Sequence, residues 1–179
     1  MTRTFVIVSA LCLLSACSQV QVADYSQLNP VLEPQVFFDG QLTAHGVVKN
    51  RKGKVIRTFN ADIKASWENG VGTLVEDFVF DDGETQQRIW TLAPNDNGTY
   101  RGTAGDVVGD GSLHKAGNSI FLDYILRIPY GDGTVDVRVD DRMYLVTPDV
   151  LINESRMSKF GLRVGSILLT IIRHEKSAV

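Results

Sequence analysis

The chain has 179 residues, 44% of them hydrophobic, with 18 Lys and Arg against 21 Asp and Glu and a net charge of −3. That length suits one domain, which at this size buries roughly 70% of its unfolded surface. The mildly acidic balance excludes a general nucleic-acid binder, which would carry a basic face. Its only cysteines are Cys12 and Cys17, so no thiol remains later in the chain for a disulfide, a metal site or a nucleophile.

Read in chain order, the first segment is Met1–Thr4 with Arg3, then the apolar run Phe5–Leu14, then small residues. A positive start, a short apolar core and a small-residue end make a secretory signal peptide over residues 1–16. The run falls short of the ~20 apolar residues that cross a bilayer as a helix. Leu14-Ser15-Ala16-Cys17 resembles the bacterial lipobox. That resemblance implies cleavage before Cys17, lipid attached to its sulfur, and anchorage by several acyl chains, since one alone is marginal. Ser18, where an Asp would favour the inner membrane, resembles the outer-membrane pattern and implies the periplasmic leaflet. Residues 17–34 have mixed polarity, two prolines and no periodicity, and read as the lipidated cysteine and a tether. Residues 35–179 form the domain.

From Gln35 onward the pattern alternates. In Val55–Trp67, Val55, Phe59, Ala61, Ile63, Ala65 and Trp67 share one face and polar residues share the other. Period two is the mark of a half-buried strand. Val135, Val137, Val139, Met143 and Leu145 repeat the pattern over 134–146, and Ile120, Leu122, Tyr124, Leu126 and Ile128 repeat it over 120–128. Less regular strands fall near 36–48, 71–81, 84–93, 99–107, 149–159 and 162–173. Turn residues separate them, as in Glu68-Asn69-Gly70 and Gly131-Asp132-Gly133. The expected fold is all-β: an antiparallel, up-and-down, lipocalin-like β-barrel of about eight to nine strands. Short hairpins let sequential strands pair, and closure removes exposed edges. A barrel of this size has room for one small ligand.

Phe37-Phe38-Asp39-Gly40, Asp140-Asp141-Arg142-Met143-Tyr144 and Met157-Ser158-Lys159-Phe160-Gly161, together with the lipobox, resemble an uncharacterised family of bacterial putative lipoproteins with a lipocalin-like barrel. The resemblance covers nearly the whole mature chain. It implies a barrel whose mouth takes an apolar molecule, and it supplies no catalytic residues.

The residues themselves point weakly to chemistry. There is no G-x-S-x-G elbow, and His45, His114 and His174 stand far apart outside any zinc motif. Neither a metal nor a cofactor is expected. Lys49-Asn-Arg-Lys-Gly-Lys54 is the densest basic stretch and reads as a solvated hairpin turn before a nucleic-acid or headgroup patch. Gly105–Gly111 is glycine-rich without the Lys-Ser/Thr of a phosphate loop, and reads as a mobile loop at a barrel rim.

More informative are charges on apolar faces. Arg57 lies with Val55, Phe59 and Ile63; Glu76 with Leu74, Phe78 and Phe80; Arg88 with Trp90 and Leu92; Asp141 with Val139 and Met143. A lone interior charge costs several kcal/mol unless paired. These residues are therefore either buried ion pairs and strand ends, or lining of a cavity where Arg57 or Arg88 receives a ligand carboxylate or phosphate. Trp67, Trp90, Phe59, Phe78, Phe80 and Tyr124 would then form the apolar wall; otherwise they are plain core. The expected function is a membrane-anchored binder or carrier of an apolar molecule such as a fatty acid or lipid. The alternatives are an accessory lipoprotein that presents its surface to an envelope protein, and, third, an enzyme on a lipid with Asp141, Glu76 or a histidine as acid or base.

Overall fold

The computed structural model describes residues 19–175. The signal segment 1–16 and Cys17 lie outside the described residues. The domain is an antiparallel barrel of ten strands, β1 (Gly40–Asn50), β2 (Val55–Glu68), β3 (Val71–Phe80), β4 (Thr85–Pro94), β5 (Tyr100–Thr103), β6 (Gly111–Ala116), β7 (Ser119–Tyr130), β8 (Gly133–Thr147), β9 (Val150–Lys159) and β10 (Leu162–Arg173). Every strand pairs with its sequence neighbours, and β10 returns to pair with β1 from Leu42↔Arg173 to Asn50↔Gly165. All-neighbour pairing follows from the short hairpins, which leave no chain for a crossover.

The count is ten rather than eight or nine because the stretch expected as one strand over 99–107 ends at Thr103, and Gly111–Ala116 forms a strand of its own. The apolar tail 162–172, whose composition also suits a helix, is a strand, paired on both sides by β1 and β9. At the β2–β3 turn, Asn69 and Gly70 have φ of 51° and 81°, the pair of positive values that a two-residue hairpin twisted like its strands requires.

The two ends of the barrel differ. The β2–β3, β4–β5, β6–β7 and β8–β9 turns surround one end, and a short helix α1 (Pro34–Phe37) lies across it. Leu32, Phe37 and Phe38 are buried there, at 1%, 2% and 4% exposure. Trp67 Nε1–H donates to the Phe38 carbonyl at 2.6 Å, and the Trp67 ring meets Tyr100 edge-on at 6.0 Å. This end is plugged. The other end, ringed by the β1–β2, β3–β4, β5–β6, β7–β8 and β9–β10 connections, has no such cover among the described residues.

Residues 19–34, read as a tether, run along the barrel rather than standing free. Leu32 N–H donates to the Gly117 carbonyl at 2.8 Å. Tyr25 packs on Phe121 and Tyr144, with ring centroids 5.7 and 5.4 Å away. This explains why Phe121, on the outward face of β7, is only 4% exposed. Gly117 permits the approach: its φ is +53°, and a Cβ there would stand 1.9 Å from the Tyr25 carbonyl oxygen.

Candidate ligand cavity

The wall has a weak place. β5 pairs only with Thr91–Pro94 of β4, so the upper half of β4 (Thr85–Trp90) has no strand on that side. The connection 104–110 crosses this gap. Val107 bridges Leu126, Val108 N–H donates to the Ile125 carbonyl at 2.9 Å, and Arg127 N–H donates to the Asp106 carbonyl at 2.8 Å. The expectation of a mobile rim loop is therefore corrected: these bonds fasten the segment to β7. From it Asp106 reaches back to β4 and takes Arg88, with Nε 3.0–3.1 Å from both carboxylate oxygens and Nη2 2.6 Å from Oδ2. A two-pronged contact of this kind is among the stronger charge pairs.

Behind this latch lies a cavity of about 170 Å³. It runs from Phe38 at the plugged end to Val48, Phe80 and Gln86 toward the open end, and the exposed Gln86 marks where it meets solvent. It matches the size of an engineered cavity of ~150 Å³ that admits benzene. Phe59, Phe78, Phe80, Trp90 and Tyr124 line it among aliphatic residues. The aromatics pack edge-on, Trp90 against Tyr124 at 5.2 Å and Phe59 against Phe78 at 5.6 Å, which holds the wall without filling the centre.

Four titratable groups face the same space: Glu76, Arg88, Tyr124 and Asp141. Glu76 and Arg88 sit directly opposite on β3 and β4. Asp141 Oδ1 accepts hydrogen bonds from Ser155 Oγ and, at 2.7 Å, from Asn153 Nδ2. No hydrogen bond joins the Glu76 carboxylate or the Tyr124 hydroxyl to another described residue. Burial pushes the Glu76 pKa up to about 7, against the opposing pull of the Arg88 charge. Burial also raises Asp141, which its two hydrogen bonds and Arg88 only partly offset, and raises the Tyr124 phenol well above its usual range. Arg88 is pulled down by burial but held above its ordinary value by Asp106 and Glu76. The interior thus holds one cation, already claimed by Asp106, and two carboxyl groups short of counter-charge.

The structure brings together Glu76, Arg88, Asp141, Phe59, Phe78, Phe80, Trp90 and Tyr124 around one space. It separates Arg57 and Trp67 from them. Arg57 lies at the open rim, its Nη2 bonded to Asp82 at 2.8 Å and Glu84 at 2.7 Å, stacked 3.6 Å over Phe80. Trp67 belongs to the plug. Asp106, Asn153 and Ser155 complete the polar cluster and were not anticipated. Asn153 and Ser155 follow Leu151 on the inward face of β9, so the rule that found Asp141 could have found them. Nothing in the glycine-rich run singles out Asp106. The histidines lie outside: His45 with Asn60, His114 with Ser112 and His174 with Thr43, all in exposed pairs. Among the described residues no group of His, Cys, Asp and Glu is placed to hold a metal.

Among solved structures, the S-type phycobiliprotein lyase CPES from Guillardia theta matches with a TM-score of 0.57 and 12% identity, over 78% of this chain and 89% of that one. At that identity the likeness is one of fold, a lipocalin-like barrel, and carries no residue roles. No curated protein matches the chain. The model of a protein family of unknown function, DUF3833, matches residues 11–173. The match spans most of the chain, barrel included, and the chain belongs to the DUF3833 family.

Proposed function

We propose that this protein is a lipid-anchored envelope protein whose barrel binds a small apolar molecule, or the end of a lipid chain, by inserting it between Phe38 and Gln86. The observation that carries the reading is the open, aromatic-lined space of about 170 Å³. A fold that only needed stability would fill it, because voids cost stability. The Leu14–Cys17 motif supports anchorage, with the acyl chains setting the barrel beside a lipid source at the outer membrane.

The polar end of the guest follows from the charges. Arg88 is engaged by Asp106, and Glu76 and Asp141 are acids. A fatty-acid carboxylate would therefore meet two carboxyl groups in a low-dielectric space, where like charges repel strongly. A hydroxyl or amine would instead donate to Glu76 or Asp141. This reading departs from the alternative in which an arginine receives an anionic head and follows the other one, in which the arginines are ion-paired.

Calorimetric titration of the full chain at pH 8 with hexanol, hexylamine and hexanoate tests the reading. Saturable binding of the first two, and at least roughly tenfold weaker binding of hexanoate, is expected from one unfavourable charge contact. Absence of binding by all three, or preference for hexanoate, would overturn it. A Met143→Trp variant, which fills the space, should bind none of them.

A further inference from the structure

We propose that the open end of the barrel docks on an anionic lipid surface through two neighbouring hairpin tips, β1–β2 and β9–β10. The tips adjoin because β10 closes the barrel against β1. The first carries Lys49, Arg51, Lys52 and Lys54, followed by Val55 and Ile56 at 43% and 60% exposure. The second carries Lys159 and Arg163 around Phe160 and Leu162, at 92% and 72% exposure.

Three observations point the same way. Neither residues 47–57 nor residues 156–166 contain an Asp or Glu, although the whole chain is acidic at −3. Among the described residues, the ion pairs engage Arg57, Arg88, Arg101, Lys115, Arg127, Arg138, Arg142 and Arg173; the cations of the two tips are not among them. The acids of the open rim sit on the other three connections: Asp81, Asp82 and Glu84 on β3–β4, Asp106 and Asp110 on β5–β6, and Asp132 on β7–β8; Asp82 and Glu84 hold Arg57. Positive charge is therefore concentrated on one side of the mouth.

Phe160 adds an independent signal. It sits at a φ of 51°, a region that bulky side chains rarely occupy. It is also almost fully exposed. The positive φ serves the two-residue Phe160–Gly161 turn, but a bulky residue there costs stability that Asn would not, and its one ring contact among the described residues is Lys159 Nζ, 5.0 Å from the centroid; such a cost marks functional positions. Cations around protruding aromatic and aliphatic tips are what an interface with anionic headgroups and acyl chains favours. The apolar side chains stand on two separate tips, which suits a partner fluid enough to close around each. A lipid surface meets that condition, whereas a folded acidic protein would need matching holes.

The test uses the full chain with Cys17→Ser, so that no acyl group contributes. Co-sedimentation is measured with phosphatidylethanolamine–phosphatidylglycerol vesicles at about three to one, and with pure phosphatidylcholine vesicles. Binding to the first set at low salt, lost at high salt, is expected, because screening shortens the reach of exposed charges. The triple variant Arg51→Gln/Lys52→Gln/Lys54→Gln should bind at least about tenfold more weakly. Phe160→Ser should weaken binding several-fold, and Lys64→Gln, away from both tips, should leave it unchanged. In Phe160→Trp, tryptophan emission should shift to the blue on adding anionic vesicles. Parental binding by the triple variant, equal binding to phosphatidylcholine, or an unmoved Phe160→Trp spectrum would each overturn the proposal. These vesicle results do not depend on the hexanol titration, so either reading can fail alone.

Discussion

The two ends of this barrel are built from the same strands and spend them differently. At the plugged end, Leu32, Phe37, Phe38 and Trp67 converge, and the chain N-terminal to β1 is tied down at Gly117. At the open end, apolar side chains point outward at Phe160 and Leu162, and in the space behind it carboxyl groups sit inside at Glu76 and Asp141. One end obeys the rule that apolar groups go in and charges go out; the other violates it in both directions. Natural folds break such rules mainly where they act on something else. The comparison therefore assigns stability to the plug and function to the mouth.

The most severe way to break that division is to attack the plug. Phe37→Ala should cost about 3–5 kcal/mol, the range for emptying a buried aromatic site. Urea unfolding monitored by tryptophan fluorescence measures it. A cost below ~1 kcal/mol would mean that the plug is ornamental.

Next in size is the pH dependence at Glu76. Its pKa rises from 4.5 toward about 7 on folding, so the folded state holds a proton that the unfolded state releases. Stability from this group is fully present below about pH 4.5 and is lost as pH rises to about 7. The loss is on the order of 3 kcal/mol, and Asp141 shifts in the same direction. Glu76→Gln should flatten this slope and stabilise the protein at pH 8, as read from thermal melts across pH. A variant that melts with the parental pH profile would place Glu76 outside the low-dielectric interior.

Smaller again is the latch. Asp106→Asn weakens the contact to Arg88 and should cost roughly 1–2 kcal/mol. Its distinguishing effect is local: amides of 104–110 should exchange hydrogen faster, with those of β1 and β2 unchanged. The smallest effect belongs to the mouth. Phe160→Ser should alter stability by less than about 0.5 kcal/mol, or raise it, because an exposed residue at positive φ contributes no packing. A large loss there would contradict the contrast between the ends.

Much of the fold was legible because the strongest strands alternate cleanly, β2 from Phe59 to Ala65 above all. The β6 strand was hidden because only Gly111 and Leu113 are buried among Ser112, His114 and Lys115, too few apolar positions to show a period. The docking of Tyr25 was hidden because an aperiodic segment buries single residues, not a face. Within the cavity, Glu76, Arg88 and Asp141 announced themselves as charges out of phase with their surroundings. Arg57 obeyed the same rule and yet sits at the rim, since a strand end reaches water from either face. No reading of one segment could supply Asp106, whose role exists only because β5 is short and leaves β4 open.

The central claim is that the open end leads into a space that takes a guest. Nuclear magnetic resonance of the isotope-labelled full chain, titrated with hexanol, tests it most directly. Saturable shifts are expected at the Trp90 indole N–H and the methyls of Leu122 and Leu169, with the amides of Phe37 and Leu32 unmoved. Shifts confined to Phe160 and Leu162, or none that saturate, would contradict it.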